Sequence, residues 1–114
     1  MVVGHDTGNI NDLRIKLIDF GMSKFTKDDT KTINLNTFCG TLDFMAPEVI
    51  AGKGYNNKCD LWSIGVIAYN MLAGFTPFIG KDMKTIQTKI LTNHWDFDDQ
   101  VWNDISKEAQ DFLS

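Results

Sequence analysis

Residues 61–72 (LWSIGVIAYNML) would put apolar side chains on almost every face of a helix: Leu61, Trp62, Ile64, Val66, Ile67, Ala68, Met71 and Leu72. Such a helix is stable only when protein surrounds it, because any open face leaves apolar surface in water. Ser63, Gly65 and Asn70 interrupt the stretch, and it is too short to span a bilayer. It therefore predicts the centre of a packed domain. A chain of 114 residues has room for one domain and buries roughly 65% of its unfolded surface. The expectation is that residues 1–114 form part of a domain, too little to wrap this helix alone.

Punctuation along the chain places the other elements. Met1-Val2-Val3 reads as a strand stub, and Gly4–Asp12 (GHDTGNIND) reads as a turn or loop. Leu13, Ile15 and Leu17 alternate with Arg14 and Lys16, the period of a half-buried strand, so a short hairpin is predicted. Residues 22–40 are polar, Thr-rich and aperiodic, a long loop of the kind that usually carries function. Pro47 opens a short helix to Ala51, with Glu48 in the turn that the helix dipole favours for an acid. Asp60 is the expected cap of the apolar helix, which should run to about Ala73 and stop at Gly74, with Pro77 beyond. A third helix is predicted over 82–92 with Met83, Ile86 and Ile90 on one face. The stretch WDFDDQVW then reads as a loop, and Ser106 with Glu108 begins a last helix.

Charge narrows the partners. The net charge is −4, and the acids gather late, from Asp96 to Asp111. Nucleic acid and anionic membrane surfaces want clustered Lys and Arg, so neither is expected. Cys39 and Cys59 lack C-x-x-C spacing and are expected as reduced thiols. No basic segment followed by an apolar run opens the chain, and an intracellular, cytoplasmic home is the expectation.

The residues that carry chemistry form an ordered set. Asp19-Phe20-Gly21 follows a strand, Ala46-Pro47-Glu48 comes 27 residues later, and D-x-W-S-x-G starts the apolar helix at Asp60. A carboxylate at a strand end, with a glycine to turn the chain, suits a hard cation; magnesium prefers one or two carboxylates plus substrate phosphates. Any one tripeptide could be an ordinary turn, but three in this order on these elements resemble the protein-kinase signature set. The resemblance covers nearly the whole chain. GFTPF at Gly74–Phe78 and the segment from Trp95 to Ser114 resemble the calcium/calmodulin-dependent and calcium-dependent serine/threonine kinases.

That resemblance implies a mainly α fold: part of a kinase large (C-terminal) lobe, with a short β hairpin, an activation loop and then helices. Residues 1–114 would run from the strand before Asp-Phe-Gly to the start of a late helix. The small lobe, the catalytic loop H-R-D-x-x-x-x-N and the final helices would lie outside it. In the complete kinase Asp19, with Phe20 and Gly21, would hold ATP through Mg2+. Thr37 matches the activation-loop threonine that an upstream kinase phosphorylates; a phosphate there adds about −1.5 to −2 charge. Thr41 matches the residue that marks serine/threonine kinases. Phe38, Leu42 and Met45 fall where the residue after the acceptor docks, although plain core packing accounts for them equally well. Phe44 stands where a Tyr is usual, and Asn70 where basophilic kinases often carry an acid. Glu48 and Asp60 match structural residues whose partners lie outside the sequence. The expected partners are a protein substrate with a Ser or Thr acceptor and an activating kinase or calcium/calmodulin-type regulator. The chain alone is expected to be inactive. The alternative is a pseudokinase fragment that acts as an interaction module through the flanks of its apolar helix.

Rival motifs lack their context. Asp6-Thr7-Gly8 is the aspartic-protease tripeptide, but His5 precedes it where an apolar residue belongs. Asp96 and Asp98 have EF-hand spacing, but Val101 occupies the glycine position and Lys107 the bidentate-glutamate position. His5 and His94 have no Cys or His neighbours at zinc-ligand spacing.

Overall fold

The computed structural model describes residues 2–3, 14–21, 23, 42–54 and 56–114. Two two-residue strands, β1 (Val2–Val3) and β2 (Arg14–Ile15), pair antiparallel with Val2 opposite Ile15 and Val3 opposite Arg14. The antiparallel pairing is limited to these two residue pairs, shorter than the alternation predicted, and residues 4–13 of the expected hairpin lie outside the described residues. Leu17 lies beyond the ladder and is 84% exposed. The other described elements are helical: α1 (Pro47–Ile50), α2 (Lys58–Ala73), α3 (Met83–Leu91) and α4 (Lys107–Leu113), with 3-10 turns at Leu42–Phe44 and Gln100–Asp104.

Local chemistry sets most boundaries. Pro47 is the first residue of α1, where its missing N–H costs nothing. Gly74 ends α2 with φ 84°, a left-handed cap whose N–H donates to the Asn70 carbonyl at 2.8 Å. Asp82 caps α3 and Ser106 caps α4, each side-chain oxygen accepting the N–H three residues on. The start of α2 differs from expectation. The helix begins at Lys58, two residues before Asp60, and Asn56 Oδ1 accepts the Lys58 N–H at 2.9 Å. Asp60 thus lies inside the first turn. The segment read as a loop after Trp95 also holds structure, the 3-10 turn Gln100–Asp104, with Asp99 accepting the Val101 N–H.

The core has two adjoining centres. Val66, Phe78 and Ile90 form a buried cluster, with Leu42, Phe44, Ile50, Trp62, Ile86 and Trp95 packed against it. Met83 leaves this group: it sits in the first turn of α3 and is 67% exposed, so α3 engages the core through its later turns. The second centre is aromatic. Tyr69 meets Phe75, Trp95, Phe97 and Trp102, the last at 4.6 Å between ring centroids. α2 serves both centres with one side, through Trp62, Val66 and Tyr69. Its other side carries Leu61, Ile64, Ile67, Met71 and Leu72, all exposed. The described residues thus wrap the apolar helix on one flank.

Candidate functional site

From Lys16 to Gly21 every residue is exposed. Within this run Asp19 has φ 65°, in the left-handed region that short polar residues tolerate because they bond their own backbone. Asp19 Oδ1 accepts the Gly21 N–H at 3.4 Å, and the Ser23 N–H donates to the Phe20 carbonyl at 3.0 Å. A Cβ at Gly21 would come within 3.3 Å of Asp19 Oδ1, so glycine gives the carboxylate room. The result is a turn that presents one carboxylate to solvent. Phe20 is also solvent-facing, 66% exposed. Among the described residues no group of three or more His, Cys, Asp or Glu is placed to hold a metal. A lone exposed carboxylate of this kind could supply one oxygen to a hard cation.

The second group is built around α1 and the start of α2. Leu42–Phe44 turns once as a 3-10 helix, and the Met45 N–H closes it onto the Leu42 carbonyl at 3.0 Å. Ala46 follows, fully buried, and Pro47 and Glu48 start α1. Leu42 and Met45 are half-buried, and Leu42 leans on the Val66 cluster, so its side chain helps to fill the core. Ser63 Oγ, on α2, lies 2.9 Å from the Phe44 carbonyl and 3.1 Å from that of Cys59. The Cys59 thiol lies 3.9 Å from Asp60 Oδ1. Burial first, then the carboxylates of Asp60 and Glu48, push Cys59 above its usual pKa, so it stays a protonated thiol that donates to the Asn56 carbonyl at 2.8 Å.

A cavity of about 290 Å³ opens between α2 and α4, lined by Trp62, Tyr69, Phe78, Trp95 and Phe112 among others. Among the described residues, none of the predicted site residues lines it. The buried Nε1 of Trp62 has no hydrogen-bond partner among the described residues.

A profile of the protein kinase domain matches residues 5–114. This chain belongs to the protein kinase family. Myosin light chain kinase A of Dictyostelium discoideum is 42% identical over 103 residues, covering 90% of this kinase chain and 34% of that protein. Calcium/calmodulin-dependent protein kinase type I of Schizosaccharomyces pombe is 42% identical over 97 residues, covering 85% of this chain and 29% of its own length. Among solved structures, the twitchin kinase region from C. elegans matches at TM-score 0.75 and 36% identity, covering 90% of this chain and 18% of that one. The autoinhibited serine kinase domain of the giant muscle protein titin matches at TM-score 0.61 and 32% identity, covering 63% and 22%. The kinase chain thus spans about a third of the length of the curated relatives it matches, and it is related to the calcium/calmodulin-dependent group.

Of the site residues expected from sequence, Leu42 lies on the 3-10 turn tied to α2 and Met45 directly after it, Glu48 in the first turn of α1 and Asp60 in the first turn of α2, while Asp19, Phe20 and Gly21 form a separate turn. Thr37, Phe38 and Thr41 lie outside the described residues, as does Cys39. Sequence reasoning passed over Ser63 and Asn56. Ser63 stood inside the D-x-W-S-x-G word, but a serine in an apolar helix gives no signal of a distant acceptor. No helix among the described residues is long and apolar enough to cross a membrane.

Proposed function

We propose that this chain is the middle of the large lobe of an ATP-dependent serine/threonine protein kinase. The complete form would transfer the γ-phosphoryl of ATP to Ser or Thr hydroxyls of proteins. The observation that carries the reading is the Asp19 turn: an exposed carboxylate held left-handed between β2 and Gly21, in fixed order with Ala46-Pro47-Glu48 and the helix at Asp60. Asp19 takes this left-handed turn by bonding its own backbone, which leaves the carboxylate open to a ligand.

In this reading Asp19 contributes a carboxylate oxygen to Mg2+, with Phe20 and Gly21 shaping the turn. Bound magnesium would neutralise charge on the nucleotide phosphates. Thr37 takes a regulatory phosphate from an upstream kinase, and Thr41 belongs to the acceptor side. Phe38, Leu42 and Met45 form an apolar wall for the residue after the acceptor. Glu48 and Asp60 are structural, each completed by a partner outside these residues. Similarity to calcium/calmodulin-dependent kinases supports a calcium-linked regulator for the whole protein.

The 114 residues hold no H-R-D-x-x-x-x-N run. Loss of a general base alone costs about 10²–10⁴-fold, and loss of nucleotide positioning costs more. The isolated chain is therefore inactive. The test compares the complete kinase, its Asp19→Asn variant and the 114-residue chain, reading Mg-ATP binding and peptide phosphorylation. The reading expects binding and turnover in the first alone. A complete protein whose Mg-ATP binding ignores Asp19→Asn would overturn it. A second reading, a non-catalytic interaction module, draws on the exposed apolar side of α2; it gains if the complete protein binds no Mg-ATP at all.

A further inference from the structure

We propose that Ser63 is a positioning residue: it pins the 3-10 turn Leu42–Phe44 to α2 and so sets the wall that reads the residue following the acceptor. This rests on the functional reading above.

A serine hydroxyl has one hydrogen to donate. Ser63 Oγ has two carbonyls within reach, that of Cys59 at 3.1 Å and that of Phe44 at 2.9 Å. The first is the local bond that any helical serine makes to the preceding turn. The second is tertiary, spanning 19 residues from helix to turn. Leu42 and Phe44 hold the turn against the core by apolar contact, but such contact is non-directional and specifies the turn's position along α2 less sharply than a hydrogen bond does. A hydrogen bond fixes distance and direction together. Ser63 also answers a backbone carbonyl in a half-buried position, where water has limited access.

The consequence runs outward from Phe44. The next residue, Met45, closes the turn onto Leu42, and Ala46 behind it is 1% exposed with no room to shift. The Phe44 carbonyl is thus the point where the turn's position along α2 is set, and Leu42 and Met45 flank it. A displacement of about 1 Å in a substrate-positioning element is enough to change fit substantially.

The test uses the complete kinase and peptides identical except for the residue after the acceptor, apolar in one and acidic in the other. Ser63→Ala is expected to shrink the apolar-over-acidic ratio of kcat/KM by about two- to tenfold, the range one hydrogen bond allows. The kcat on the better peptide should change little, and Ser63→Thr, which keeps the hydroxyl, should restore the ratio. Thr88→Ala is the control: its hydroxyl bonds the Lys84 carbonyl at 2.9 Å within α3, and its loss should leave the ratio alone. An unchanged ratio in Ser63→Ala, with or without a lower Tm, overturns the proposal. Should that variant fail to fold, Ser63→Cys keeps the size and weakens the donor, and the same ratio decides. A complete protein that phosphorylates neither peptide overturns the functional reading instead. The pin itself is then read by hydrogen exchange at the Met45 amide, expected about two- to tenfold faster in Ser63→Ala; an unchanged rate overturns it.

Discussion

The Tyr69 hydroxyl of α2 donates to the Asp96 carbonyl at 3.1 Å, joining points 27 residues apart. The ring does more than the bond, because it sits among Phe75, Trp95, Phe97 and Trp102. Tyr69→Phe should cost about 0.5–1.5 kcal/mol, since Asp96 is exposed and water replaces the lost donor. Tyr69→Ala should cost about 3–5 kcal/mol through the cavity it opens. Burial raises the Tyr69 pKa, opposed by the nearby Trp102 indole N–H, which makes no well-formed bond, and helped by Asp96 and Asp99. The neutral phenol is thus favoured in the folded state. Its contribution is complete below the ordinary value near 10.0 and is lost as pH climbs toward the raised folded value. Urea unfolding across that range should narrow the gap between wild type and Tyr69→Phe.

Asp82 works in the opposite direction. Its carboxylate accepts the Thr85 N–H at 2.7 Å, and that bond, then the Thr85 side chain, holds its pKa below the usual value. The ionised form is favoured in the folded state. Its stabilisation is present above the ordinary value near 3.8 and disappears as pH falls through the lowered one. Thermal melts should show Asp82→Ala below wild type at neutral pH, with the two converging in acid.

α3 ends in a two-bond cap: the Asn93 N–H reaches the Ile90 carbonyl at 3.1 Å, and the His94 N–H reaches that of Lys89 at 2.8 Å. The cap needs a left-handed residue, and Asn93 has φ 49°. Asn93→Gly should leave stability equal or a few tenths of a kcal/mol higher, while Asn93→Val should cost about 1–2 kcal/mol. Denaturant midpoints of the pair decide.

Ile90 is fully buried at the centre of the cluster with Val66 and Phe78. Ile90→Val should cost about 0.5–1.5 kcal/mol and Ile90→Ala about 2–5 kcal/mol. Equal midpoints for the two variants would mean that the core collapses around the gap.

What could be read from sequence was what acts locally. Gly74, Asp82 and Ser106 mark helix ends because capping depends on a few neighbouring residues. The start of α2 escaped because Asn56, Asn57 and Asp60 are all good caps within five positions, and the helix begins after Asn57, which makes no side-chain cap bond. The turn at Gln100–Asp104 escaped because five residues of 3-10 helix leave no periodicity. Met83 shares its helical face with Ile90, and only the reach of the core decides which one is covered. At the candidate site the Asp19 turn was legible, since an Asp before a Phe-Gly bonds within itself. The Ser63–Phe44 tie was not, because nothing in either residue names the other.

The two-sided apolar surface of α2 has a practical consequence for handling this polypeptide. Five large side chains in water on one helix make a sticky stripe, and molecules meeting at micromolar concentration will associate through it. Expressed alone, the chain is expected to aggregate or to be held by chaperones, which its partition between soluble and pelleted fractions would show. Replacing Leu61, Ile64 and Met71 by polar residues should keep the chain in solution at higher concentration.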